Sequence, residues 1–378
     1  MATASLEIKT HFRRLKDPRR KHRQQHRFLD IVVIALCAVI AGAESWPQIE
    51  AFGRRRHAWL QRFLALPNGI PSHDTFQRLF TALEPQAFQA CVRQWLLALS
   101  GALGREQIAI DGKTLRGSSN TASELGPLQL VSAWATQSHV SLGQVAVAAD
   151  SNEITAIPRL LELLELKGAL VSIDAMGCQK DIAGRIIAGG GHYILTVKGN
   201  QAQLLKEMQE CLQEALDEEH PQLSFYETEE RGHGRMERRC YTVLQEVTGR
   251  GQRQQWRGLR ALGMCYSERT VQGETSTEVR YFIGSKKASA RFYGRALRSH
   301  WGIENNLHWQ LDVSFGEDRD RTQERNAAEN MALLRRVALT LLKRHPSKDS
   351  LVSKRKQAGW DCAFLEEILR GSANPEKP

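Results

Sequence analysis

Three carboxylates stand where carboxylates are costly. Asp111 closes the apolar run Ile108-Ala109-Ile110, and Asp174 closes Leu170-Val171-Ser172-Ile173. Glu304 lies far downstream in the aromatic-rich stretch His300-Trp301-Gly302-Ile303-Glu304-Asn305. An acid at the tip of a core strand needs a paired charge or a metal to offset its burial. Two strand-borne Asp and one helix-borne Glu make the ligand set of a two-metal phosphoryl-transfer site. Each Mg²⁺ takes hard oxygen ligands and keeps positions for water and phosphate. Two such ions, roughly 3.5–4 Å apart, can clamp the attacking and leaving oxygens together. Plainer roles compete: Asp-Gly is a common turn pair, and Asp174 also suits a helix cap. Asp312, Glu317 and Asp318 crowd the chain just after Glu304, so spacing alone leaves the third acid open.

The elements that must carry these acids can be read from periodicity. Residues 1 to about 103 look helical, with helices expected over 30–43, 46–66, 73–83 and 85–101; Pro67-Asn68-Gly69-Ile70-Pro71 breaks the second from the third. Strands then follow over 107–111, 128–136 and 142–149, a helix over 152–166, a strand over 169–174, a helix over 179–188 and a strand over 192–197. Three successive strands followed by alternating helix and strand is the order of a ribonuclease-H-like α/β core. In that order the first and fourth strands are neighbours, which brings Asp111 and Asp174 together. A charged helix is expected over 201–219, β-hairpins from 223 to about 286, helix again over 288–312 and a further amphipathic helix over 326–344. The resulting division is a basic arm and helical N-terminal domain (1–103), the first part of the core (104–222), a β-rich insertion (223–286), a core helix carrying the third acid (287–345) and a loosely held tail (346–378).

Charge points to the partner. The 378 residues carry a formal net charge of +10. Between His11 and Phe28 stand Arg13, Arg14, Lys16, Arg19, Arg20, Lys21, Arg23 and Arg27 against the single acid Asp17. A block this basic suits a polyanion, above all double-stranded DNA, and its plainer reading is a solvated arm. Helix, tight turn and Ser72-capped helix beside Arg54-Arg55-Arg56 permit a helix-turn-helix reading. Seven scattered cysteines without a CxxC pair argue against a disulfide framework or structural zinc and for a reducing cytoplasm. The longest apolar run, 31–43, falls short of the roughly 20 residues that span a bilayer. It also lacks a small-residue cleavage pattern, so a buried helix is expected rather than a signal peptide or a membrane anchor.

Five segments in order resemble one family: Ala109-Ile110-Asp111-Gly112-Lys113-Thr114-Leu115-Arg116-Gly117, Ile173-Asp174-Ala175-Met176, Lys198-Gly199-Asn200-Gln201, Gly232-His233-Gly234-Arg235-Met236-Glu237 and His300-Trp301-Gly302-Ile303-Glu304-Asn305. The chain is similar to bacterial insertion-sequence transposases with an Asp-Asp-Glu (DDE) site, in the subgroup containing the H-repeat-associated proteins. The likeness runs from about Leu29 to Leu342. It implies an RNase-H-like catalytic domain and an associated N-terminal domain. It also implies Mg²⁺, which Mn²⁺ can replace, and cleavage and strand transfer at the element's DNA ends. By the same resemblance Asp111, Asp174 and Glu304 are the catalytic metal ligands, the working form is a homodimer pairing two ends, and the setting is the bacterial nucleoid. The chain departs from the Tyr, Arg, Glu, Lys signature of related enzymes, having Leu297, His300 and Leu311 at those places around Glu304. His300 and His308, four residues either side of Glu304, are the candidates to grip phosphate instead.

Other cations are weighed as DNA contacts. Lys113 and Arg116 are expected in a loop after Asp111, Lys198 beside Gly199 at the same sheet edge, and Arg231, His233, Arg235, Arg238 and Arg239 on a basic hairpin. Each could equally be solvated. Trp301 and Trp309 read as core packing. Two alternatives to a transposase stay open: an RNase-H-like nuclease that cuts without joining, and a catalytically silent DNA-binding remnant.

Overall fold

The computed structural model describes residues 8, 10–21, 24–100, 105–119, 126–232, 234–245 and 251–371. Arg23, His233, the boundary at 101–104 and the last prolines lie outside the described residues. The strands are β1 (Gln107–Leu115), β2 (Leu128–Ala135), β3 (Val140–Ala146), β4 (Leu170–Ile173), β5 (His192–Val197), β6 (Leu223–Gly232), β7 (Arg235–Gln245), β8 (Ala261–Val271) and β9 (Glu274–Gly284). They form one sheet in the order β3-β2-β1-β4-β5-β9-β8-β7-β6. β1 runs parallel to β4 from Gln107↔Leu170 to Ile110↔Ile173, and β4 is parallel to β5. The remaining pairs are antiparallel. The first and fourth strands are therefore neighbours, as their order in the sequence required. The hairpins after Leu223 extend this same sheet through β9, which pairs with β5.

Helices α1 (Phe28–Ile40), α2 (Trp46–Arg55), α3 (His57–Leu60), α4 (His73–Ala82) and α5 (Pro85–Ser100) precede the sheet. The single helix expected over 46–66 is broken at Arg56, which leaves the helical region between α2 and α3. α6 (Glu153–Glu162), α7 (Lys180–Ala188) and α8 (Ala202–Asp217) lie between and after the parallel strands. α9 (Ala290–His300), a π turn (Glu304–His308), α10 (Trp309–Phe315), α11 (Arg325–Arg344), α12 (Leu351–Trp360) and α13 (Cys362–Arg370) complete the described chain. Among the described residues no helix is long and apolar enough to cross a membrane. The apolar run at 31–43 is instead the buried helix α1, whose Asp30 is satisfied by the backbone N–H of Leu66 at 2.9 Å.

Strand alternation divides the two faces of β1. Ile108 and Ile110 pack with α6, α7 and α8 through Ala156, Ile157, Leu160, Ile182 and Leu204. Ala109 faces the other way, into a core shared by α1 to α5, the π turn and α10 to α13. The segment after His345, expected to be loose, belongs to this core: Ala358, Leu365, Ile368 and Leu369 are buried in it. The basic arm is anchored there as well. Phe12 packs on Phe88 and Trp95 with ring centroids 5.9 and 6.2 Å apart, and Leu15 is buried.

α11 runs through the middle of this core and is buried on every side, although its sequence reads as amphipathic. Glu329, in its second turn, is 8% exposed. Burial, with the charge of Glu84 behind it, pushes the Glu329 carboxyl up to about 7. A carboxyl raised in the folded state stabilises that state below its unfolded pKa and loses this contribution as pH rises through the folded value. Glu329→Gln should therefore be more stable than the wild type at pH 8 by roughly 1–3 kcal/mol, and so unfold at a higher temperature. The difference should fade by about pH 4, where the unfolded carboxyl is protonated as well, which thermal melts at pH 4 and pH 8 would check.

Candidate metal centre

The parallel pairing of β1 with β4 ends at Ile110↔Ile173. Asp174 is the first residue beyond β4, and its Oδ1 accepts the N–H of Met176 at 3.1 Å, turning the carboxylate back over its own loop. Asp111 follows Ile110 but does not end its strand, because β1 continues to Leu115 against β2. Its side chain keeps 25% exposure where β4 no longer covers it. Glu304 approaches from the Ala109 face. Buried Ile303 and Leu307 seat its helical segment in the core, which leaves Glu304 61% exposed and pointing away.

That segment is a π turn, with the N–H of Trp309 donating to the carbonyl of Glu304. Such turns insert one extra residue into a helix and recur at functional sites. His308, 4% exposed, places Nδ1 at 3.2 Å from Oε2 of Glu304 and 3.5 Å from Oδ2 of Asp111. One ligand atom from each of Asp111, Glu304 and His308 falls within 4.8 Å of the others. Asp174 is outside that trio.

Burial is the largest influence on Asp111 and pushes its carboxyl up to about 6. His308 opposes the rise, while the charges of Asp174 and Glu304 add to it. Glu304 is shifted down, chiefly through its hydrogen bond to His308. A half-buried acid under pressure from two neighbouring acids, with a buried imidazole in reach, is a donor set suited to a divalent cation. The nitrogen of His308 that faces the acids is Nδ1; the other ring nitrogen, Nε2, is buried without a partner among the described residues.

Lys113 is a strand residue, not a loop one: its side chain is 8% exposed, and Nζ lies 2.6 Å from Asp312 and 3.7 Å from Asp318. Arg116 does lie beyond the strand, 83% exposed, with Asp318 at 3.7 Å. Lys198 is exposed. The residues after it brace the Asp174 loop, Asn200 donating to the carbonyl of Ala175 at 2.7 Å and Gln201 to that of Cys178 at 2.9 Å. Arg235, Arg231, Arg238 and Arg239 all sit on the β6–β7 hairpin, paired with Glu237, Glu229, Glu227 and Glu230, so the hairpin is charge-balanced rather than a basic surface. Arg19 is spent on Asp17 and the carbonyl of His26, whereas Arg20 and Lys21 are exposed.

His300 is not a cation poised on the face of Glu304. Its Nδ1 contacts Ser172 Oγ at 3.0 Å, and burial pushes its pKa down to about 4, leaving it neutral at physiological pH. With Gln107, which donates to both Ser172 and the carbonyl of Ala296, it fixes α9 to β1 and β4. His308 is the member of the pair that reaches the acids, and its spacing of four from Glu304 was the signal for it. Trp301 and Trp309 are 46% and 52% exposed rather than packed in the core, and Arg280 stacks over Trp301 at 4.3 Å.

Comparison with known proteins gives matches over nearly the whole chain. Residues 102–341 match the family described as "Transposase DDE domain", and residues 9–96 the one described as "DDE_Tnp_1-associated". The chain is 39% identical over 361 residues to "Putative transposase YncI" of Escherichia coli O157:H7, covering 94% of this chain and 92% of that protein. It is 37% identical over 379 residues to "H repeat-associated putative transposase YhhI" of Escherichia coli K12, covering 97% and 98%. Among solved structures, a piggyBac transposase synaptic complex with hairpin DNA aligns with a TM-score of 0.49 and 10% identity, over 99% of this chain and 83% of that one, a likeness too remote to bear on the site.

Proposed function

The chain belongs to the DDE transposase family, and from that membership we propose that Asp111, Asp174 and Glu304 hold the divalent cations of a DNA strand-cleavage and strand-transfer site. The observation that carries the reading is the convergence of Asp111 and Glu304 with His308 within 4.8 Å, beside the strand end that bears Asp174. When bound, a pair of Mg²⁺ or Mn²⁺ ions supplies Lewis acidity at the scissile phosphate and steadies the attacking and leaving oxygens.

The residues position and neutralise. Asp111, inside β1 where β4 stops covering it, and Asp174, just beyond the end of β4, present oxygens from a rigid sheet; Glu304, tethered by His308, presents them from the helical segment that covers it. Water attacks phosphorus and the bond to the 3′ oxygen breaks; the freed 3′-OH then attacks a phosphate of target DNA in the same in-line geometry, displacing the target strand's own 3′ oxygen, which takes up a proton as the attacking hydroxyl loses one. The protein forms no covalent bond with DNA. Its work is orientation and charge placement.

Strands β1 to β5 with α6 and α7 we read as an RNase-H-like core, supported by the order β3-β2-β1-β4-β5 with β1, β4 and β5 parallel. The helices of the first hundred residues and the exposed cations Arg20, Lys21, Arg116 and Lys198 we assign to gripping double-stranded DNA, with two copies of the chain pairing two element ends. A strand-transfer assay with Mg²⁺ or Mn²⁺, on DNA carrying the terminal repeats of the element, tests the reading. Joined products are expected. Nicks without joining would make the protein a nuclease, and retarded but uncut DNA would make it a binding remnant; either result overturns the proposal.

A further inference from the structure

α6 starts directly after its Asn152 cap, and its first residue turns back onto the sheet. The carboxylate of Glu153 lies on the backbone of β1 at Gly112, the residue after Asp111. A Cβ at position 112 would fall 1.9 Å from Oε1 of Glu153 and 2.3 Å from Cδ, so the missing side chain is what makes room for the acid. The opening is a consequence of strand length: β4 stops opposite Ile110, and β1 is uncovered on that side from Asp111 onward. Among the described residues Glu153 has no hydrogen-bond or ion-pair partner. Both Asp174 and Asp111 are close enough for their charges to act on it.

The distribution of ligands leaves this place to fill. Glu304 and His308 approach Asp111 from the Ala109 face and do not include Asp174 in their group. A cation on the Asp174 side would have only Asp111 and Asp174 from the three assigned acids, and hard divalent ions favour further oxygens. α6 lies on the opposite face, against Ile108 and Ile110. We propose that Glu153 is a fourth carboxylate of the metal site, meeting the cation between Asp111 and Asp174 from the sheet face opposite Glu304.

The inference rests on the reading of Asp111, Asp174 and Glu304 as metal ligands, and Mn²⁺ binding to the full chain, followed by electron paramagnetic resonance of the free ion, separates the two. The wild type is expected to take up two ions. Glu153→Gln should retain one and bind the other at least about tenfold more weakly. Gly112→Ala should show the same loss without touching an acid, because its Cβ displaces a carboxylate whose flexible end can swing away. Asp111→Asn should weaken both ions. Melts of the metal-free variants should match or exceed the wild type, which makes lost binding distinct from lost folding. Two ions bound with wild-type affinity by Glu153→Gln, alongside their loss in Asp111→Asn, would remove Glu153 from the site and leave the three acids in place. Unchanged binding in Asp111→Asn would instead remove the reading on which this one stands.

Discussion

Asp111→Asn should abolish strand cleavage and joining while making the metal-free protein harder to unfold. The two effects share one cause. Asp111 is half-buried and within reach of the charges of Asp174 and Glu304, and its carboxyl is pushed up to about 6, so at pH 8 the folded state holds a charge it would rather lose. The amide removes that charge and retains an oxygen for the Gly112 N–H that Oδ1 accepts at 2.9 Å. The sign follows from the raised pKa: the wild-type group favours folding below its unfolded value near 4 and ceases to as pH rises through about 6. The variant's advantage in a thermal melt should therefore be present at pH 8 and absent at pH 4. Catalysis moves the other way. Loss of an acid placed beside both of the others should reduce turnover by at least about a thousandfold, roughly 4 kcal/mol of barrier, with DNA binding retained. A variant that still cut DNA at a tenth of the wild-type rate, or that melted lower at pH 8, would contradict this account of Asp111. The same pKa makes metal uptake compete with a proton, so Mn²⁺ affinity of the wild type should fall as pH drops below about 6.

Arg336→Met should be the most destabilising single change away from the acids. Arg336 Nη1 lies 2.8 Å from Glu317 Oε1, and both side chains have 0% exposure. Breaking one side of a buried pair strands the other charge, at a cost of about 3–5 kcal/mol. Glu317 opens the turn after α10, which continues directly from the π turn bearing Glu304. Destabilisation in urea should thus be joined by weakened Mn²⁺ binding, although Arg336 is fully buried and its partners are Glu317, Ser132 and the carbonyl of Ala332 rather than Asp111, Asp174 or Glu304. Replacing both partners, as Arg336→Met with Glu317→Leu, should recover most of the stability, since an apolar pair has no stranded charge. If the double variant were as unstable as the single one, the pairing would not be the reason for the loss.

Several features were legible because single residues violated a local rule. Asp111 and Asp174 are acids directly after apolar runs, and Glu304 is an acid in an aromatic segment, so these three stand out in the sequence. The pairing of the first strand with the fourth followed from element order, which connection rules constrain strongly. What was not legible depended on distant parts of the chain. Lys113 looks like a loop cation until β1 is seen to continue and Asp312 to arrive from α10. The arginines of the β6–β7 hairpin look basic until cross-strand register sets Glu227, Glu229, Glu230 and Glu237 among them. The bounds of β8 are not marked in the sequence, because Ala261-Leu262-Gly263-Met264-Cys265 lacks a clear alternation. Glu153 resembles any acid in the first turn of a helix, where the dipole alone accounts for it; only the absent Cβ of Gly112 shows where it goes. The π turn has no signature in residue type, and it is what seats His308 between Glu304 and Asp111.

The most direct test is a crystal soaked in Mn²⁺ and measured for anomalous scattering. Two peaks roughly 3.5–4 Å apart, within bonding reach of Asp111, Asp174 and Glu304, are the expected result. A crystal saturated with Mn²⁺ in which those carboxylates contact no peak would contradict the claim that this cluster is where DNA is cut and joined.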